Sequence, residues 1–310
     1  MGAGNVGEGP NEFPEGACAR DFQVFALSDG RVETWEHSHR RLRVYDASGA
    51  QVDAHVLAGG SEMRGPQLLG KFDRGYLIGE YLGSVFSGPL SWRDTLVLHS
   101  FGEDGEHERS LGRIAGFSLT QAEVYTRFGP VTSTVPVPFA PHGLAVPWGS
   151  AVAVSDRSNS EIRVLDQAGQ LKTIIRWTAR RLPVTDALIE ANIDELLTRE
   201  THDEQTNALD DERFRRSLRT YPYPDSARLY SAFHVGNDGL LWVQLFSPPG
   251  TSSVTWLGFA PSGSLTTVMD LPRGARLLDI GEGYTLVRVR DELGVESVIL
   301  YGVRARRESR

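Results

Sequence analysis

The sequence predicts an all-β fold of the β-propeller class, built from repeated four-stranded antiparallel blades. Three observations carry this: a strand pair recurring around a turn glycine, a second pair interleaved with it, and 33 Gly with 16 Pro in 310 residues, a composition rich in turns. The first pair occurs five times. Its copies are FQVFALSDGRVETW around Gly30, PQLLGKFDRGYLIGEY around Gly75, PHGLAVPWGSAVAVSD around Gly149, YSAFHVGNDGLLWVQL around Gly239 and ARLLDIGEGYTLVRV around Gly283. Each reads as two short strands joined by a tight turn. Asp29-Gly30 and Asp238-Gly239 are the strongest turn pairs, because glycine enters positive φ without a Cβ clash.

The second pair follows the first four copies as LRVYDASGAQV, LVLHSFGEDGEHERSL, IRVLDQAGQLKTII and VTWLGFAPSGSLTTVMDL. Its turn glycines, Gly49, Gly105, Gly169 and Gly263, lie 19, 30, 20 and 24 residues after the matching inner glycines. The fifth copy is half present, with VESVILYGV at 295–303 supplying one strand. The repeat is therefore a blade of roughly 45–50 residues. Its inner hairpin is the more apolar because neighbouring blades sandwich it, and its outer hairpin carries more charge. An immunoglobulin-like sandwich explains alternating strands but not two interleaved glycine registers. The expected domain is single and spans residues 1–310.

Gly239 follows Gly149 by 90 residues, more than one blade, and the surplus at 178–222 reads as a helical insertion in the fourth copy. Thr185 is placed to cap a helix behind Pro183, and Ile189, Ile193, Leu196 and Leu197 recur at helical spacing. A second helix is expected from about Asp203 to Leu218, starting near Asn207, with Tyr221-Pro222-Tyr223-Pro224 returning the chain to the sheet. On a propeller such an insert caps the ring, binds a partner, or packs on the rim to shield an edge.

Composition narrows the function classes. Hydrophobic residues at 40% supply a core, and a net charge of −8 argues against nucleic acid. The single cysteine, Cys18, permits neither an internal disulfide nor a cysteine zinc cluster. No apolar run reaches the roughly 18 residues of a membrane helix. Residues 1–16 lack the charged start and apolar run of a secretory signal, and GAGNVG precedes prolines rather than opening a helix, which excludes a dinucleotide fingerprint.

GEGPNEF at 7–13 resembles the GEGPGEF-type linker of bacterial six-bladed β-propeller proteins of the NHL-repeat-like kind. SDRSNSEIRVLDQAGQL at 155–171, the stretch from Arg181 to Thr185, GNDGLLWV at 236–243 and RDELGVESVILYGV at 290–303 are similar to that group as well. The resemblance implies six blades, whereas five inner hairpins are visible, and in such proteins the linker follows an earlier blade. The expectation is that one N-terminal blade is missing, together with any export signal. The full-length form would then be extracytoplasmic, periplasmic or secreted; a true start at Met1 would make the chain cytoplasmic. The alternative is a five-bladed ring closed by residues 1–13.

Candidate site residues come from the inner strands, whose starts line the central channel of a propeller. His142 begins the third inner strand and Ser231 is its counterpart in the fourth. Trp148, expected in an exposed turn, and Tyr230 offer rings for stacking on a ligand. Asp156 and Asn159 flank a turn, where such side chains bond nearby backbone. Asp279, Glu282, Asp291 and Glu292 are the carboxylates of the last copy. His37 and His39 form an HxH pair, read as a polar loop followed closely by arginines, and His234 and Trp242 are read as packed. No nucleophile motif stands out.

The leading reading is a non-catalytic module that binds a protein or a small molecule on a propeller face or in its channel, with no cofactor. The second is an enzyme similar to the gluconolactonase-like propellers. That resemblance implies a central divalent cation such as calcium, with His142, Asp156 and Asp279 as the metal ligands. The third is an extracytoplasmic structural protein whose helical insert docks on a partner.

Overall fold

The computed structural model describes residues 5–6, 12–13, 22–27, 29–37, 39–58, 63, 66–83, 91–126, 129–200, 208–291 and 294–302. Cys18 and most of the GEGPNEF segment lie outside them. Asn5–Val6 (β1) and Glu12–Phe13 (β2) pair with each other in parallel. Every other strand among the described residues belongs to one of five antiparallel sheets that follow one another along the chain.

The first sheet comprises Phe22–Ala26 (β3), Val32–Glu36 (β4), Arg41–Tyr45 (β5) and Gln51–Val56 (β6). The second comprises Gln67–Lys71 (β7), Tyr76–Tyr81 (β8), Ser91–Phe101 (β9), His107–Thr126 (β10) and Gly129–Pro136 (β11). Leu144–Trp148 (β12), Ala151–Ser155 (β13), Glu161–Leu165 (β14) and Leu171–Arg176 (β15) make the third. Tyr230–Val235 (β16), Leu241–Leu245 (β17), Ser253–Phe259 (β18) and Leu265–Pro272 (β19) make the fourth. Arg276–Gly281 (β20), Tyr284–Arg290 (β21) and Glu296–Gly302 (β22) make the last. Neighbours in sequence are neighbours in each sheet, the order of propeller blades. The fold is all-β and of that class.

Both glycine registers close the hairpins as the sequence predicts. The nine turn glycines, from Gly30 to Gly283, all have φ between +58° and +86°. Two elements differ from expectation. The second sheet has a fifth strand, because β10 runs for 20 residues and turns back as β11, pairing Thr126 with Gly129 through to Leu119 with Pro136. The helical insertion lies between the third and fourth sheets rather than within the fourth.

The chain forms two compact units. The first is Met1–Leu82, Leu96–Arg113 and Gln167–Gly169; the second is the remainder. In the first, Trp35, Leu42, Leu57, Leu68, Tyr76, Ile78 and Phe101 form one buried cluster. Glu33 is buried beside it, accepting from the Tyr76 hydroxyl at 2.6 Å and from Lys71 Nζ at 3.2 Å. These two donors take the place of water, without which a buried carboxylate would be costly. Burial first, and Glu33 second, push the Tyr76 phenol up.

In the second unit the third and fourth sheets share a core that includes Trp148, Val164, Ile175, Tyr230, Val243 and Phe259. The insertion holds Asp186–Glu200 (α1) and Ala208–Arg219 (α2). Thr185 Oγ1 accepts from the Leu188 amide at 3.3 Å, capping α1 as its position predicts. Ile193, Leu197 and Leu218 are buried together between the helices. The neck of the insertion is a short antiparallel clamp. Val184 N donates to Asp225 O at 3.0 Å and Ala227 N to Leu182 O at 2.9 Å. Ser217 on α2 donates to the Glu123 carbonyl, so the extra length of β10 supports the insertion.

Gly75 separates the two costs of replacing a turn glycine. A Cβ there would lie 2.1 Å from the Phe101 carbonyl oxygen, whereas one on Gly30 would meet nothing within 4 Å. Gly30→Ala is expected to cost about 1 kcal/mol, the positive-φ penalty alone. Gly75→Ala is expected to cost about 3 kcal/mol or more, because backbone must also move. Urea denaturation of both variants checks this, and equal losses would contradict it.

Candidate functional site

The residues singled out from the sequence divide into those the structure brings together and those it buries. Trp148 was expected in an exposed turn, but it is the last residue of β12 and 8% exposed. Its indole donates to Gly239 O at 2.9 Å, tying the third sheet to the turn of the fourth. Tyr230 is fully buried. Its hydroxyl bonds the Ser155 hydroxyl and the Glu161 carbonyl, and its ring stacks on Phe233 at 5.6 Å. Burial pushes its phenol up. Neither ring presents a face to a ligand, because each fills the space between sheets.

The expected metal set is not assembled. Among the described residues no group of three or more His, Cys, Asp or Glu side chains is placed to hold an ion. Asp279 Oδ2 accepts from Asn237 Nδ2 at 2.9 Å and from the Tyr284 hydroxyl at 2.8 Å, joining the fourth and fifth sheets. Asp156 Oδ1 accepts from Ser158 N at 3.0 Å and Ser158 Oγ at 2.6 Å, the local turn bonding its residue type favours. Burial would raise its carboxyl, but the Ser158 bonds and the Arg93 charge outweigh this and hold it below the usual range. Asp156 and Asn159 line a polar depression of about 230 Å³ with Glu161 and Arg163. His39 bonds Glu36 in the turn after β4, as a polar loop residue. His234 and Trp242 are packed in their strands, as read from the sequence.

His142 and Ser231 do converge, through a residue the sequence reading missed. Arg157 is 1% exposed and sits at φ 60°, a conformation uncommon outside glycine. Its Nε donates to His142 O at 2.8 Å and its Nη1 to Ser231 O at 2.6 Å. Ser231 is the extra residue of a bulge where β16 slips against β17, between Tyr230 and Ala232. The bulge turns its carbonyl towards the guanidinium. His142 stacks on Phe117 at 4.7 Å. Burial, with the charges of Arg157, Arg228 and Arg93, pushes its imidazole down to about 2.

Next to this cluster lies a cavity of about 360 Å³. Helix α1 contributes Asn192 and Glu195, the loop before β12 contributes Pro138 and Phe139, the fourth sheet contributes Ser231, Gln244 and Val254, and Phe246 follows directly after β17. Two arginines line it and differ in their partners. Arg273 is fully engaged. Its Nη2 pairs with Glu195 Oε2 at 2.5 Å, and its Nη1 donates to Pro248 O at 2.7 Å and Thr251 Oγ1 at 2.9 Å. Arg228 instead lies over the Phe246 ring, 5.3 Å from its centroid. Burial alone pulls its guanidinium below the ordinary arginine value. Phe139, at φ 61°, packs edge-on against Phe246 at 5.9 Å, and its carbonyl accepts from the Arg228 amide at 2.8 Å. Two of the three non-glycine residues with positive φ among the described residues thus stand at or beside this site, where strained backbone tends to gather.

No protein-family model matches the chain, and no curated protein matches it. Solved structures do resemble it. A DUF4221-family member from Bacteroides vulgatus is 8% identical over 96% of this chain and 81% of its own, with TM-score 0.41. A catalytically inactive virginiamycin B lyase from Staphylococcus aureus, solved with quinupristin, is 13% identical over 93% and 72%, with TM-score 0.32. BamB from Moraxella catarrhalis is 9% identical over 89% and 70%, with TM-score 0.28. At such identities and scores these likenesses carry no argument about activity.

The buried imidazole gives the site a pH signature. His142 stays neutral in the folded protein above about pH 2, while in the unfolded chain it protonates near its ordinary 6.5. Its contribution to stability is whole above 6.5 and is lost progressively as pH falls below that value. Between pH 7 and pH 5 the loss is expected to be about 2 kcal/mol. His142→Gln is expected to flatten that part of the profile. Urea melts across the range check this, and an unchanged slope in the variant would contradict it.

Proposed function

We propose that this protein is a non-catalytic module that binds a small molecule in the cavity between helix α1 and the fourth sheet. The observation that carries the reading is the cavity itself. About 360 Å³ falls at the small end of ligand pockets, and the lining sets the rings of Phe139 and Phe246 among the polar side chains of Asn192, Glu195, Arg228, Gln244 and Arg273. Ser231 lines it directly, and His142 adjoins it through Arg157. The residues favoured in the sequence therefore stay in the proposal as backbone contributors to the site rather than as stacking rings. Helix α1 forms one wall, which gives the insertion a role as part of the site.

The finer reading of the fold belongs with this proposal. We infer one propeller domain over residues 1–310, of the NHL-repeat-like six-bladed kind, that works outside the cytoplasm. The glycine registers and the linker-like segment at 7–13 support it. No helix among the described residues is long and apolar enough to cross a membrane.

A panel of small metabolites screened by thermal shift, with hits measured by calorimetry, tests the binding. A ligand held at about 100 times its Kd is expected to stabilise the protein by about 2.7 kcal/mol. Gln244→Trp, which fills the cavity from β17, is expected to abolish that shift while the variant keeps a cooperative melt. A hit that binds the variant as tightly as the parent would place the site elsewhere.

A further inference from the structure

The charge and hydrogen-bond balance of the cavity points to the class of its ligand, and this inference rests on the cavity being the binding site. Two guanidinium groups and one carboxylate line it. Glu195 is taken up by Arg273, which also spends its remaining donors on Pro248 O and Thr251 Oγ1. Arg228 is left as the single uncompensated charge. Among the described residues its guanidinium has no acid partner, and its Nε is shut off from water with no hydrogen-bond acceptor. Its one close neighbour of interest is the Phe246 ring, which holds the group in place without neutralising it. Asn192 Nδ2 of α1, which lines the same cavity, is another buried donor with no acceptor among the described residues. Proteins seldom leave a buried charge and a buried amide unanswered, because each loses its hydration and gains nothing in return.

We propose that the cavity takes a small organic monoanion, a carboxylate carried on an apolar or aromatic body. Its oxygens answer Arg228 and Asn192, and its body lies against Phe139, Phe246 and Val254. A planar guanidinium matches a carboxylate through two parallel hydrogen bonds. One net positive charge suits one negative charge, and the Glu195 carboxylate in the lining disfavours a dianion such as phosphate.

The test uses the intact chain with three probes, benzoate, benzamide and inorganic phosphate, measured by calorimetry and thermal shift. Benzoate is expected to bind, with benzamide and phosphate at least about tenfold weaker. Arg228→Met keeps an apolar stem over Phe246 but removes the charge, and it is expected to weaken benzoate by about 30-fold or more. The same variant is expected to melt higher than the parent without ligand, since it removes an uncompensated buried charge; a purely structural arginine would give the opposite shift. Gln244→Trp is expected to lose every probe. Equal binding of benzoate and benzamide, both lost in Gln244→Trp, would overturn the anion assignment and leave the cavity as the site. Tighter binding of phosphate than of benzoate would overturn the carboxylate. Failure of all three probes would overturn the cavity reading with it, and benzoate binding that survives Arg228→Met would overturn the role of that residue.

Discussion

The nine hairpins of the two glycine registers each close through a glycine held at positive φ, and much of the molecule depends on that backbone constraint. A turn of this kind fixes which residues of the two strands face each other, and a slip of one residue would turn every side chain to the opposite face. The register so fixed puts Leu241 and Val243 of β17 in the core shared with the third sheet and Trp242 in the core shared with the fifth. It also delivers the carbonyl of a turn glycine, Gly239, to the indole of Trp148. Contacts between sheets are thus set by turns within sheets.

That dependence explains why so much of the fold was legible in the sequence. The five inner and four outer turns are marked by glycine, and the apolar strands alternate with charged ones. Thr185 and the Ile189 to Leu197 spacing gave the first helix of the insertion. What was not legible has a physical reason in each case. β11 reads GPVTSTVP, bounded by prolines and rich in Thr and Ser, and its outward residues are exposed, so nothing in its pattern separates it from a loop. Its partner β10 continues past the usual length of an outer strand and meets helix α2 at Glu123, a contact no periodicity records. Trp148 adjoins the turn glycine Gly149 and looked exposed for that reason, but a strand end that faces the neighbouring sheet is as buried as its middle.

The site was legible only in outline. His142 and Ser231 were singled out by their place at inner-strand starts, and they do meet, but through backbone carbonyls and a guanidinium rather than through their side chains. Arg157, Arg228 and Arg273 carry the site, and no spacing marks them in a chain where Lys and Arg together number 32 and are nearly all arginine. Their roles follow from burial and partners. Arg157 ties loops by donating to carbonyls, Arg273 ties the insertion to the fourth sheet through Glu195, and Arg228 stacks on Phe246 inside the cavity without an anion. Three identical side chains do three different things because their surroundings differ. Phe139, which lines the cavity, and Arg157, which ties the His142 and Ser231 carbonyls beside it, both hold strained backbone, at a cost of about 1–3 kcal/mol each.

A crystal structure of the intact chain, soaked with a small aryl carboxylate, would examine the cavity itself. The account requires density for the carboxylate against the guanidinium of Arg228, with Arg273 still paired to Glu195 and helix α1 in place. An empty or collapsed cavity, with Arg228 swung into solvent or paired with a carboxylate of the chain, would contradict it.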